Sequence, residues 1–145
     1  LSTIGNPGAL WIVICVVLCI SKKYRRGGMQ MLSAELLSFI VGNLIIKNMV
    51  DRLRPCQIDE TVSLIVKIPF DSSFPSGHTL NGITAAVTLM FIDKRMGIPA
   101  IVLAVLIAFS RMYNFMHFPT DILAGAVLGV VSAVFVNFLF KRAGN

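Results

Sequence analysis

An arginine, a histidine and an aspartate, Arg111, His117 and Asp121, fall within eleven residues of SRMYNFMHFPTD, between two long apolar runs. Two more polar clusters stand at the ends of other apolar runs. KNMVDRLRP carries Lys47 and Arg54 seven residues apart, a spacing that puts both cations on one face if the stretch is helical. FPSGHTLN, residues 74–81, has the Pro-Ser-Gly that opens a helix, which leaves the amides of Gly77 and His78 free to meet an anion. Together these clusters supply three cations, a set of amide donors, two imidazoles and a carboxylate. Phosphoryl transfer uses this inventory. Guanidinium and ammonium groups match phosphate oxygens and the charge of the transition state. One imidazole can attack phosphorus when a carboxylate fixes its tautomer, and a second can protonate the leaving alkoxide. With the cations carrying the electrostatic load, no metal or other cofactor is required.

Each cluster taken alone has an ordinary explanation. Lys47 and Arg54 read equally as a snorkelling lysine and a loop arginine, PSGH as a capped turn, and His117 as a satisfied polar residue at a membrane edge. It is their combination that points to chemistry.

The elements that must position these groups are membrane helices. The chain of 145 residues is 56% hydrophobic and 14% charged, with a mean hydropathy of +0.81. A soluble domain is about one quarter charged, so the composition argues against one. Five apolar runs cover 8–21, 29–49, 78–92, 97–113 and 119–140. A span takes about 20 residues; the second and fifth suffice alone, while the first and third need tilt or polar ends. None has the charged face of a soluble amphipathic helix, so the expected fold is an all-α polytopic membrane bundle, one domain over 1–145. The formal charge of +6 could suggest nucleic acid, but the basic residues sit at the ends of apolar runs. SKKYRR, DKR (93–95) and KR (141–142) hold eight Lys/Arg against one acid, Asp93. The positive-inside rule puts these linkers in the cytoplasm, and the motif-bearing linkers 51–77 and 114–118 outside. The expected partners are therefore the bilayer and a lipid within it, not nucleic acid; the oligomeric state is left open.

The pattern Lys-x6-Arg-Pro, Pro-Ser-Gly-His and Ser-Arg-x5-His-x3-Asp resembles the signature of the type 2 phosphatidic acid phosphatase family. It reads here as Lys47, Arg54–Pro55, Pro75–His78, Ser110–Arg111, His117 and Asp121, eleven fixed positions in order. The resemblance spans about residues 40–125. It implies that His117 is the nucleophile that becomes a phosphohistidine, that Asp121 orients it, and that His78 is the general acid. It also implies that Lys47, Arg54, Ser76, the Gly77 amide and Arg111 bind phosphate. Membrane members of the family commonly have six helices; five are present here, and the sixth would precede Leu1 and carry no motif. The implied activity is hydrolysis of a lipid phosphate or diphosphate at the outer face of the cell membrane. Undecaprenyl diphosphate is the leading substrate, with phosphatidylglycerol phosphate or phosphatidate as the alternative. A phosphotransferase with an alcohol acceptor shares the same first step. An anion transporter would need polar residues deep in several helices, whereas these gather at one face.

Four further features call for a role. Glu35 lies within the second run, where a structural hydrogen bond is expected, and Asn43, one turn below Lys47, is placed to orient it. VSLIVKIPF (62–70) reads as an interfacial flap or as packing over the bundle. Cys15, Cys19 and Cys56 give no disulfide framework or zinc spacing and read as idle thiols. Gly125, Gly129 and Ala133 recur at four-residue intervals below Asp121 and form a packing seam.

Overall fold

The computed structural model describes residues 7–58 and 71–144; the segment 62–70 lies outside them. All elements among the described residues are helical. They are α1 (Pro7–Ile20), α2 (Arg25–Ser38), a π-helical segment (Phe39–Ile46), α3 (Lys47–Val50), α4 (Pro55–Ile58), α5 (Gly77–Ile92), α6 (Lys94–Tyr113) and α7 (Pro119–Arg142). The stretch beginning at Arg25, α6 and α7 are long and apolar enough to cross a membrane, and α1 and α5 are shorter apolar helices. The protein is a multi-pass membrane bundle. Its pattern is the inverse of a soluble domain: Ile12, Val16, Val17, Leu106, Phe109, Val127, Val131 and Phe135 all face outward, which lipid tolerates and water does not.

Helix α5 is the centre, packed against α6, α7, α2 and α1. Its sixteen residues make a rod of about 24 Å, shorter than the hydrocarbon layer of about 30 Å, and longer helices flank it. Small residues let the neighbours approach. Ala85, Ala86 and Leu89 meet Trp11, Cys15 and Leu18 of α1, Met31 of α2, and Ala100, Ala104 and Ile107 of α6 in one buried cluster. The hydroxyls of Thr84 and Thr88 donate back to the carbonyls four residues earlier, at 2.8 Å each, so they lie inside the bundle without leaving polar atoms unpaired.

The seam on α7 lies where its spacing predicts. A Cβ on Gly129 would stand 2.8 Å from the Leu80 carbonyl oxygen, and one on Gly125 2.7 Å from that of Ser76. Both obstacles are backbone, so α5 itself would have to move. Gly129→Val should therefore destabilise the protein by about 1–3 kcal/mol, the usual cost of overpacking. Thermal unfolding in detergent would show it as a lowered midpoint; an unchanged midpoint would mean that the helices do not meet there.

One end of the bundle collects the basic linkers. Tyr24 donates to Asp93 at 3.4 Å, and Arg26 donates to the Phe140 carbonyl at 2.7 Å, tying the start of α2 to both the α5–α6 turn and the end of α7. The motif-bearing linkers lie at the opposite end. Glu35 differs from expectation: among the described residues its Oε1 is enclosed without a hydrogen-bond partner. The three thiols are free, Cys15 and Cys56 being buried.

Candidate active site

The sequence after Lys47 does not continue as a helix to Arg54. Helix α3 stops at Val50, residues 51–54 are irregular, and α4 begins at Pro55. The helix breaks at Asp51, whose backbone leaves the helical region (φ 18°, ψ 56°), and Pro55 disfavours the helical conformation at Arg54 before it. Lys47 therefore reaches the site from a helix end and Arg54 from a loop, and the single helical face expected from their spacing is not formed. Helix α5 starts at Gly77 with Ser76 as its N-cap residue, as the PSGH pattern implies. On the third side, Phe115 adopts a left-handed backbone (φ 53°) and turns the chain sharply. Pro119 then starts α7, and Asp121 reaches back to accept the Phe118 amide at 2.8 Å. An acid in the first turn satisfies an orphan amide and complements the helix dipole. His117 is left between the two helices, 3% exposed.

These elements enclose a cleft of about 500 Å³ lined by Lys47, Arg54, Gly77, His78, Arg111 and His117, with Asn43, Asn81 and Asp71. Six of the eight residues expected from sequence thus share one cavity. The other two, Ser76 and Asp121, are fully buried behind it. Ser76 accepts a hydrogen bond from the Thr79 hydroxyl at 3.0 Å, and its amide donates to the Asp121 carbonyl at 3.1 Å. The cleft wall continues into Gly8, Ala9, Ile12 and Phe39, so a polar floor adjoins an apolar side.

His117 Nδ1 lies 2.8 Å from the Ser73 carbonyl oxygen. A carbonyl only accepts, so Nδ1 carries the proton and Nε2 keeps its lone pair. Nε2 lies 3.3 Å from Arg54 Nη1. Burial, followed by the charge of Arg54, pushes the imidazole down to about 3, against the smaller upward pull of the bond to Ser73. The ring is therefore neutral at physiological pH and nucleophilic at Nε2. Asp121, expected to orient the ring, has its Oδ2 3.7 Å from Nδ1. That oxygen is engaged by the Ser73 hydroxyl and the Phe118 amide, so Asp121 reaches the histidine through Ser73.

Arg54 is 2% exposed and held on several sides. It donates to the Met116 carbonyl at 3.0 Å, the Asp71 carbonyl at 3.3 Å and the Asp71 carboxylate at 2.6 Å. Lys47 pairs with the other Asp71 oxygen; no hydrogen bond joins it to Asn43 among the described residues. Burial acts to raise the Asp71 carboxyl, but Lys47 and Arg54 outweigh it and hold it below the usual carboxylate range. A carboxylate bridging two cations occupies the kind of position a phosphate would take. Arg111 is 6% exposed, and its Nε is enclosed without a partner among the described residues, an arrangement suited to receiving an anion. A Cβ on Gly77 would lie 2.9 Å from Asn43 Oδ1, so that side chain would have to shift to admit it.

Asp71 and Asn81, which line the cleft, and Ser73 and Arg52, which bond to His117 and Asp121 from behind it, are not among the residues that the motifs single out. Asp71 and Ser73 lie just upstream of PSGH with no spacing to single them out, and Arg52 is masked by its neighbour Arg54. Asn81 follows His78 by one helical turn, which was the one available signal.

The model of the PAP2 superfamily matches residues 27–144. An undecaprenyl-diphosphatase from Sulfolobus acidocaldarius is 36% identical over 121 residues, covering 83% of this chain and 58% of the relative. The chain spans about half the length of the curated relatives it matches. Among solved structures, Aquifex aeolicus LpxE superposes with a TM-score of 0.77 and 25% identity over 90% of this chain and 81% of that one. A transmembrane PAP2 type phosphatidylglycerolphosphate phosphatase from Bacillus subtilis gives 0.71 and 27% over 92% and 68%.

Proposed function

The chain belongs to the PAP2 superfamily, and from that premise we propose that it hydrolyses a lipid diphosphate, with undecaprenyl diphosphate as the best candidate, through a phosphohistidine on His117. The observation that carries this reading is the pose of His117, neutral and with Nε2 beside Arg54 in a cleft whose wall turns apolar. The terminal phosphate sits among Lys47, Arg54, Arg111 and the Gly77 amide, and the prenyl chain leaves past Phe39 and Ile12. The Nε2 lone pair forms the bond to phosphorus while the bond to the bridging oxygen breaks, and His78 gives that oxygen its proton. Water then attacks the phosphohistidine, His78 takes a proton back, and inorganic phosphate leaves with His117 restored. Ser76 supports the phosphate-binding end of α5 from behind. Relatives named for an undecaprenyl diphosphate and for phosphatidylglycerophosphate support a lipid substrate, and the polar-to-apolar cleft supports a headgroup bound at helix ends.

Phosphate release from a panel of purified lipids tests this reading. Polyprenyl diphosphate should be cleaved faster than phosphatidylglycerol phosphate or phosphatidate, equally well in excess chelator, and vanadate should inhibit. Complete loss in chelator that metal restores would overturn the cation-based site; faster cleavage of either phospholipid would replace the prenyl substrate.

The site faces outward from the cell membrane in this proposal, supported by the eight basic residues at the other end. Cys56 is buried, so exposed positions serve as reporters. A membrane-impermeant thiol reagent on intact cells should label Asp51→Cys and spare Lys23→Cys. The opposite pattern would invert the topology.

A further inference from the structure

Arg52 stands at a variable position of Lys-x6-Arg-Pro and does not line the cleft, yet it holds the site from two directions. Its Nη1 donates to Asp121 Oδ1 and to Thr120 Oγ1, each at 2.8 Å. The guanidinium carbon lies 4.1 Å from the centre of the Phe118 ring, within reach of a cation–π contact. Through its backbone, the Arg52 carbonyl accepts the Ser73 amide at 2.8 Å, and the Arg52 amide donates to Ser72 Oγ at 3.0 Å.

An exposed ion pair usually contributes little. This one differs, because the Asp121 side chain is 0% exposed while that of Arg52 is 36% exposed. A carboxylate removed from water must have its lone pairs engaged. Arg52 takes Oδ1, and Ser73 and the Phe118 amide take Oδ2, so three donors from three directions stop the carboxylate from turning. Ser73 in turn is held at its hydroxyl by Asp121 and at its amide by Arg52, and its carbonyl accepts His117 Nδ1. The ring that attacks phosphorus is thus aimed by the Ser73 carbonyl, and both anchors of Ser73 lead to Arg52.

We propose that Arg52 is a positioning residue for His117: it clamps Asp121 and Ser73 so that the Ser73 carbonyl keeps Nε2 pointed into the cleft. The proposal rests on the phosphatase reading above. Arg52 touches no substrate, so its loss should lower kcat and leave KM nearly unchanged. A misplacement of about 1 Å can cost about 10²-fold in rate, and Arg52→Gln should fall between about 10-fold and 10²-fold. Because Arg52 acts through Asp121, the two losses should not add. In an Asp121→Asn background, Arg52→Gln should cost less than about threefold more. Arg52→Lys should recover part of the rate, since an ammonium restores the charge beside Asp121 but not the flat guanidinium that lies over the Phe118 ring.

The test is a double-mutant cycle of Arg52→Gln and Asp121→Asn, measured as kcat and KM for polyprenyl diphosphate on purified protein. If Arg52→Gln does not accumulate as folded protein, the same cycle with Arg52→Lys serves, with a smaller but still non-additive loss expected. Additive losses in kcat would overturn the proposal, as would a raised KM with kcat unchanged, which would make Arg52 a substrate ligand. The unaltered protein separates the two claims. If it releases phosphate and the losses add, only the role of Arg52 fails; if it releases none from any lipid phosphate, the phosphatase reading fails and the proposal with it.

Discussion

His117→Ala should abolish turnover, a loss of at least about 10⁴-fold on the scale of removing a covalent nucleophile, on every substrate the protein accepts. No other group in the cleft can replace it. Ser73 and Asp121 lie behind the ring, Lys47 and Arg54 are tied to Asp71, and His78 comes from the opposite helix. Alanine also leaves the Ser73 carbonyl without its donor, a penalty of about 1–3 kcal/mol for a buried polar group, so a folding control is needed. His117→Asn provides it, because an amide can still donate to Ser73 but is not a nucleophile. The asparagine variant should unfold near the temperature of the unaltered protein and be equally inactive. An active His117→Asn protein, measured by phosphate release, would remove His117 from the chemistry.

His78→Ala should have an effect that depends on the leaving group. General acid catalysis is typically worth about 10²–10⁴-fold, and it matters most when the departing oxygen is basic. The variant should lose that factor on an alkyl phosphate and recover to within about tenfold of the unaltered protein on an aryl phosphate with an acidic phenol. Asp121→Asn acts through His117 and should slow both substrates alike. The comparison of the two variants on the two substrates is the measurement. Equal losses for His78→Ala on both would show that it binds phosphate and does not donate the proton.

Much of this architecture is legible in the residues themselves. The five apolar runs become the five long helical stretches, because a chain in lipid must satisfy its backbone within each segment. The basic linkers do gather at one end, and Gly125 and Gly129 mark the real seam between α5 and α7. Six candidate residues converge because each lies at or next to the same end of an apolar run, where the helix termini bring them to one height. What sequence could not supply is contact between loops. Nothing in the spacing shows that α3 ends at Val50, so it leaves open whether Arg54 shares a helical face with Lys47 or stands in a loop, as it does. The bond from His117 to a peptide carbonyl is likewise invisible, since any residue offers that carbonyl. The sequence points to Asp121 as the group that orients the ring, but not to Ser73, which stands between them. Glu35 lies in the sequence far from the motif-bearing ends, which points to a structural hydrogen bond, and its enclosed Oε1 has none among the described residues.

The measurement closest to the chemistry is a rapid acid-free quench of the unaltered protein with polyprenyl diphosphate labelled at its terminal phosphate, followed by mapping of the label by mass spectrometry. The label should lie on His117, should be lost on brief acid treatment, and should disappear when unlabelled substrate is added before the quench. Label on His78, or a protein that turns over the lipid while carrying no covalent phosphate at any time point, would contradict the mechanism.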